Sequence, residues 1–205
     1  MKHVRQIERN VTLMKKETNN IIALRSKMWI TNSLLSLMEE KDFNKISIKE
    51  IIDNADLTRQ TFYRNFNSKE DVLFEYVSKI YKECFDKIEQ ISNKNLKIIL
   101  ITYFEHWHKY KELLLLARKS NFNYKFMDFY YPFMNEYFEK LIIRLPDNFD
   151  AKTDYIKHFL LGGLIQVKTH WAERDFLETP EELAELVLQS INTCTYNVTY
   201  NIDTK

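Results

Sequence analysis

The chain is nearly without glycine and proline, and this shortage constrains its fold more than any other feature. Among 205 residues there are only two glycines and three prolines. Tight turns depend on these residue types, so a fold with many β-hairpins is disfavoured. Hydrophobic residues make up 45% of the chain, which excludes wholesale disorder and allows a bundle-sized core. The composition therefore predicts an all-α protein.

Two capping boxes enclose the most informative stretch of the chain. Ser47 stands three residues before Glu50, and Ser68 stands three residues before Asp71. In this spacing the serine hydroxyl accepts from a backbone amide while the carboxylate reaches back to the start of the helix. Between the boxes, Thr58 is placed to cap a short helix that runs to about Arg64. Two short helices joined by a tight turn form a helix-turn-helix.

The second of these helices has an apolar side and a polar side. Phe62 and Phe66 are four residues apart and are expected to face inward. The outward side chains suit a major groove, since arginine bonds guanine, glutamine bonds adenine, and tyrosine reaches a phosphate or a thymine methyl. A solvent-facing helix of an ordinary bundle has the same pattern, so periodicity alone leaves that alternative open.

The order of residues here resembles the DNA-binding domain of the TetR family of bacterial transcriptional regulators. The resemblance covers residues 25–73 and is carried by the segments SIKEI, ADLT, TFYRNF and SKE. Lys41-Asp42-Phe43 and Asp56 stand where many relatives have glycine, and aspartate tolerates the left-handed backbone of the turn. The resemblance implies that Ser47, Asn65 and Lys69 lie near the phosphate backbone. It implies a DNA-binding set of Ser47, Thr58, Arg59, Gln60, Thr61, Tyr63, Arg64, Asn65 and Lys69.

The only two glycines are adjacent, Gly162-Gly163, inside the apolar run Phe159–Ile165. A glycine within a helix costs about 1 kcal/mol relative to alanine, so a pair indicates a close backbone approach, either across a dimer or within the chain. Residues 158–187 resemble the last two helices of a TetR-family carboxy-terminal domain type that is frequent in Firmicutes. The resemblance implies a homodimer whose interface includes Gly162, Gly163 and Trp171.

An aromatic-rich middle section is where proteins of this family bind an effector. The candidate ligand-binding residues are Tyr103, Trp107, Phe126 and Tyr130. Aromatic residues at helical spacing are also typical of an ordinary core, and no residue here identifies a ligand. A second alternative is a body that responds to a protein partner, as in activators of dihydroxyacetone-kinase operons.

Other functional classes find little support in the sequence. It contains no glycine-rich phosphate loop, nucleophile elbow or CxxC motif. His106 and His108 are two residues apart and face different sides of a helix, which makes a poor metal pair. We therefore expect no enzyme, metal or cofactor. No signal peptide and no apolar run of membrane-spanning length is visible, so a cytoplasmic protein without a membrane partner is expected.

These observations predict an amino-terminal three-helix domain joined by a long helix to a carboxy-terminal helical bundle. The segments are a basic extension (1–21), the helix-turn-helix DNA-binding domain (22–70) and a regulatory and dimerisation domain (71–198). Residues 1–27 carry a net charge of +5, whereas residues 25–75 hold eight basic and nine acidic residues. We therefore expect the extension to contact phosphates, and Met14 is an alternative start. The expected function is that of a homodimeric repressor of a palindromic operator, released by an effector.

Overall fold

The structure is a computed structural model that describes residues 2–92, 95–120 and 153–196. Regular structure within these residues is helical throughout, which confirms the predicted all-α class. None of the helices in the described part of the chain has the length and apolar character of a membrane span. The elements are α1 (Lys2–Glu40), a 3₁₀ turn (Phe43–Lys45), α2 (Ile48–Asn54), α3 (Arg59–Asn65), α4 (Lys69–Glu89), α5 (Leu96–His108), α6 (Lys111–Lys119), α7 (Thr153–Glu173) and α8 (Pro180–Tyr196).

Helix α1 begins twenty residues earlier than the sequence pattern predicts. The pattern predicts a start near Ile22, whereas the helix runs unbroken from Lys2 to Glu40. Asn19 and Asn20 are residue types that often cap helices, but neither begins a new helix here. Because no glycine or proline occurs in this stretch, nothing in the backbone interrupts the helix. The basic extension is therefore the first half of α1.

The buried face of α1 is also rotated from the predicted one. Apolar spacing predicts Leu24, Met28, Leu34, Leu37 and Met38 on that face, but Leu24 and Met28 are 64% and 54% exposed. Leu34 and Met38 are buried as predicted, and Ser26 and Ile30 precede them at four-residue spacing. The Ser26 hydroxyl donates a hydrogen bond to the carbonyl oxygen of Ile22 at 2.9 Å. A buried serine is invisible to an argument from apolar spacing, and this explains the error.

The described residues form two compact units, and the boundary between them falls within α4, after Val77. The first unit contains the residues up to Val77 together with Lys119 and Ser120. In it α1, α2 and α3 pack on one another around Leu34, Ile51 and Phe62, which are fully buried. The hydroxyl of Ser33 donates to the carbonyl oxygen of Ile51 at 2.7 Å and so fixes α1 against α2.

The second unit contains Ser78–Arg118 and the described residues from Thr153 on. Helix α5 packs along α8, and Lys97 and Glu185 form an ion pair between them at 2.6 Å. The sequence pattern predicts Asn93 as the cap of α5, whereas the structure places Asn95 there, because its side chain accepts from the amide of Lys97. The pattern also predicts that Thr179 caps α8 and Pro180 opens it, and the structure confirms this start.

The sequence pattern predicts an aromatic-rich helix at 123–144 and a loop after it, and both lie outside the described residues. The candidate ligand residues Phe126 and Tyr130 lie there as well. Their roles remain predictions.

Candidate nucleic-acid interface

The helix-turn-helix begins at the predicted capping box. The Ser47 hydroxyl accepts from the amide of Glu50, and the Glu50 carboxylate accepts from the amide of Ser47 at 2.9 Å. Glu50 also forms an ion pair with Lys41. The hydrogen bonds from Lys41 and Ser47 lower the pKa of Glu50 from 4.5 to about 2. The carboxylate therefore stays charged at the start of α2.

Asp56 makes the turn between α2 and α3. Its φ of 51° lies in the left-handed region, which aspartate tolerates better than most residues with a side chain. The amide of Leu57 then donates to the carbonyl oxygen of Ile52 at 2.9 Å and closes the turn. Immediately after it, the Thr58 hydroxyl accepts from the amide of Thr61 and begins α3. The predicted turn is thus present with the predicted cap.

Helix α3 presents the predicted two sides. Phe62 and Phe66 are buried, with 0% and 5% of their surfaces exposed, and their ring centroids lie 6.1 Å apart. Gln60 and Arg64 are exposed on the opposite side, and Tyr63 is about half exposed beside them. The guanidinium of Arg59 lies 5.8 Å from the centroid of the Tyr63 ring. Such a contact restricts the orientation of the tyrosine ring.

The predicted DNA-binding residues differ in whether their side chains already form hydrogen bonds within the protein. Thr58 and Thr61 bond to each other at the cap, and the Asn65 amide donates to the carbonyl oxygen of Thr61 at 2.7 Å. Among the described residues, no hydrogen-bond partner occurs for the side chains of Gln60 and Arg64. These two side chains are therefore the ones most available for base edges.

Lys69, which the resemblance predicts near the phosphate backbone, has its ammonium group bonded within the first unit. Its ammonium group donates to the carbonyl oxygens of Phe43, Asn44 and Ile46, at 2.6, 3.2 and 2.7 Å. An ammonium has three protons, and these bonds use all of them. Lys69 therefore holds the 3₁₀ turn against the start of α4, an arrangement that sequence spacing gave no signal for.

The candidate ligand residues Tyr103 and Trp107 lie in the interior of the second unit, with 5% and 1% of their surfaces exposed. Their ring centroids are 6.4 Å apart, and Tyr81 of α4 packs edge-on against Trp107 at 4.4 Å. Sequence analysis missed the buried Lys168 of α7, whose ammonium donates to the Tyr81 hydroxyl. Lysine is normally exposed, so only the packed structure identifies it.

The two histidines do face different sides of α5, as predicted. His106 is buried, and its Nε2 is 2.9 Å from the carbonyl oxygen of Ile80, which assigns the proton to Nε2. Its Nδ1 then accepts from Lys87 at 3.1 Å. Burial and the Lys87 charge lower the pKa of His106. His108 is exposed, and the centroid of its ring lies 5.6 Å from the centroid of the Trp171 ring.

The residues predicted for the dimer interface lie in two different surroundings. A Cβ added to Gly163 would meet no atom of the described residues within 4 Å, so the glycine leaves one side of α7 open. Trp171 is 1% exposed, and its Nε1 donates to the carbonyl oxygen of Glu178 at 2.9 Å. The indole therefore packs inside the subunit and has almost no surface left for a partner.

Comparison with known proteins gives the following matches. Residues 30–76 match the family model for bacterial regulatory proteins of the tetR family, and residues 94–193 match a model for a transcriptional regulator C-terminal region. The fold is similar to that of a TetR transcriptional regulator from Streptococcus agalactiae 2603V, with a TM-score of 0.61 and 21% identity over 86% of this chain and 98% of that one. It is also similar to the dihydroxyacetone kinase operon activator DhaS, with a TM-score of 0.50 and 15% identity over 82% and 95% of the two chains. A comparison with curated proteins gives no match.

Proposed function

The chain belongs to the TetR family of bacterial transcriptional regulators, and from this premise we propose that it is a repressor that binds a pseudo-palindromic operator as a homodimer. Members of this family are DNA-binding regulators rather than enzymes. The observation that carries the proposal is the outer side of α3, where Gln60, Tyr63 and Arg64 are exposed on a helix whose other side is buried. The cytoplasm, where an operator is accessible, is the proposed location.

On the DNA, the residues of α3 have different proposed roles. Arg64 and Gln60 contact base edges in the major groove, because arginine and glutamine form paired hydrogen bonds with guanine and adenine. Arg59 and Tyr63, which contact each other, bind the flanking phosphate or a thymine methyl. The remaining predicted contacts are proposed to lie beside the phosphate backbone: Ser47 and Thr58 at the starts of α2 and α3, Thr61 in the first turn of α3, and Asn65 at its end. Lys69 is left out of this set because of its internal bonds.

An exposed apolar face on the second unit supports the proposed homodimer. Tyr155 and Phe159 of α7 are 79% and 72% exposed, and Gly163 follows at the same four-residue spacing. Leu186 of α8 is 51% exposed. Apolar side chains in such a row are typical of a surface that another helix covers. Two-fold symmetry of the dimer then requires two operator half-sites separated by a whole number of helical turns.

Release from DNA is proposed to follow effector binding in the second unit, which changes the spacing of the two α3 helices. The alternative is control of the regulator by a protein partner. A stoichiometric protein that co-purifies with the chain would favour the alternative, whereas a bound small molecule would favour the effector.

Fluorescence-anisotropy titration tests the proposed function. The gene's own upstream region is compared with a scrambled sequence of equal length, at two salt concentrations, and the bound region is footprinted. We expect preferential, salt-sensitive binding to a palindrome at two subunits per site. Arg174→Ala removes an exposed arginine from the second unit and is the control for loss of Arg64 from α3. Equal, weak binding to both sequences by a protein shown to be dimeric would contradict the proposal.

A further inference from the structure

A buried lysine in the second unit faces aromatic side chains and no carboxylate. Lys168 is 6% exposed, and its ammonium lies 3.6 Å from the centroid of the Trp107 ring. Its hydrogen bond goes to the Tyr81 hydroxyl, and no acidic group of the described residues pairs with it. A buried charge without a counterion is strongly unfavourable, so buried lysines are normally paired.

Two further donors near Lys168 have no acceptor among the described residues. They are the Tyr103 hydroxyl and the Trp107 Nε1, both in the interior. Nearly all buried polar groups in proteins have a hydrogen-bond partner, so such groups require an explanation. The contacts of Trp107 with Lys168 and Tyr103 place all three donor-bearing side chains in one cluster. This cluster of Lys168, Tyr103 and Trp107 is called the donor cluster below.

The chemistry of the donor cluster specifies its ligand. One cation with two neutral donors matches a group with a single negative charge and two oxygens, which is a carboxylate. A phosphate dianion would remain undercompensated beside one lysine. Tyr81, whose ring lies 4.4 Å from Trp107, adds an apolar surface that suits a hydrocarbon or aromatic body.

We propose that the donor cluster binds the carboxylate of a small apolar acid, and that this acid is the effector of the regulator. The second half of the inference rests on the proposed function, whereas binding of the acid does not require DNA. Lys168 supplies the charge, and Tyr103 and Trp107 orient the two carboxylate oxygens. Because these side chains are only 6%, 5% and 1% exposed, the acid enters when the side chains around the donor cluster move apart.

The ionisation of Lys168 supplies an independent signature of binding. Burial lowers the pKa of this lysine from 10.5 to about 7. Cys84, the titratable neighbour on α4, has its pKa raised to about 12 by burial and stays neutral, as does Tyr103 on α5, whose pKa burial also raises. A carboxylate beside the ammonium raises the lysine pKa again. Above pH 7, binding of the acid must therefore be accompanied by proton uptake.

The test uses the full chain and three probe acids, benzoate, phenylacetate and hexanoate, each beside its neutral amide, with phenyl phosphate as the dianionic probe. Isothermal titration calorimetry at pH 8 in buffers of different ionisation enthalpy measures affinity and proton uptake. We expect at least one acid to bind at least about tenfold more tightly than its amide and than phenyl phosphate, with uptake of up to one proton. If no acid binds, or acid and amide bind equally, the proposal is overturned.

Variants separate binding from folding. Lys168→Met removes the charge, and Lys109→Met removes the same charge from an exposed position on the same unit. We expect Lys168→Met to raise the Tm of the ligand-free protein and to abolish the preference for the acid, while Lys109→Met changes neither. Tyr103→Phe should fold normally and weaken acid binding. If Lys168→Met keeps the preference for the acid over its amide, the proposal is overturned.

The two proposals fail separately. If an acid binds with proton uptake but does not change operator affinity, the donor cluster stands and the effector role is wrong. If the protein does not bind its operator at all, the proposed function fails while the calorimetric result remains.

Discussion

The ammonium group of Lys69 donates a hydrogen bond to the carbonyl oxygen of Phe43 at 2.6 Å, although the two residues are 26 positions apart. The same ammonium lies 4.6 Å from the centroid of the Phe43 ring, which is 1% exposed. One side chain thus fixes both the backbone and the ring of the 3₁₀ turn against the start of α4. Its role in the first unit is that of a structural brace.

Replacement of Lys69 by methionine should therefore lower stability rather than remove a phosphate contact. Hydrogen bonds from a charged group contribute about 1.5–3 kcal/mol, and we expect a loss of that size in the free energy of unfolding, measured in urea. Lys49→Met, at an exposed ion pair of α2, is the control and should change stability by less than about 0.5 kcal/mol. If stability is unchanged and the slope of log affinity against log salt becomes smaller in magnitude by about 0.9, the value for one phosphate contact, the predicted DNA contact of Lys69 is restored.

Arg64→Ala and Gln60→Ala should each cost about 1–3 kcal/mol of operator affinity and relax base preference at one position. The reason is that both side chains lie on the exposed side of α3 and make no hydrogen bond to the described residues. Anisotropy titration against operators with single-base changes measures both effects. An equal loss on operator and on random DNA would assign Arg64 to the phosphate backbone instead.

Asp56 should tolerate glycine but not alanine. Its φ of 51° costs a residue with a Cβ about 1–2 kcal/mol, and aspartate reduces this cost by local hydrogen bonding. We expect Asp56→Gly to keep or slightly raise stability and Asp56→Ala to lower it by about 1 kcal/mol. Urea unfolding of the pair of variants measures the difference. Equal stability of the two would show that the turn relaxes to another conformation.

Interactions between residues close in the sequence were predicted correctly, whereas interactions between distant segments were not. Ser47, Thr58 and Thr179 cap their helices as predicted, because a cap depends on the residues that immediately follow it. Lys69 and Lys168 could not be placed from the sequence. A long cationic side chain is normally solvated, and only packing between distant segments turns it inward. The start of α1 was missed because the apolar spacing that predicts this helix begins only near Ile22, whereas the backbone is helical from Lys2.

Acid should weaken the first unit through Glu50. The folded-state pKa of Glu50 is lowered to about 2 from 4.5, so its contribution is fully present above pH 4.5 and is lost as the pH falls toward 2. Glu50→Gln removes this titration, and the urea midpoint should then fall less steeply over that range. Glu39→Gln, an exposed change on α1, controls for the lost charge. Identical acid profiles for Glu50→Gln and the unmodified protein would contradict the Lys41–Glu50–Ser47 arrangement.

The basic first half of α1 should set the salt dependence of DNA binding. Residues 25–75 hold nearly equal numbers of basic and acidic side chains, so most of the excess positive charge near the helix-turn-helix comes from residues 1–27. A chain beginning at Met14 lacks Lys2, Arg5 and Arg9. Each phosphate that is no longer neutralised should reduce the magnitude of the slope of log affinity against log salt by about 0.9. Replacing the three residues with glutamine in the full-length chain removes the charge and preserves helix propensity. Because both variants lack the same cations, equal reductions in slope would assign the effect to charge. An unchanged slope in both would mean that this part of α1 does not contact DNA.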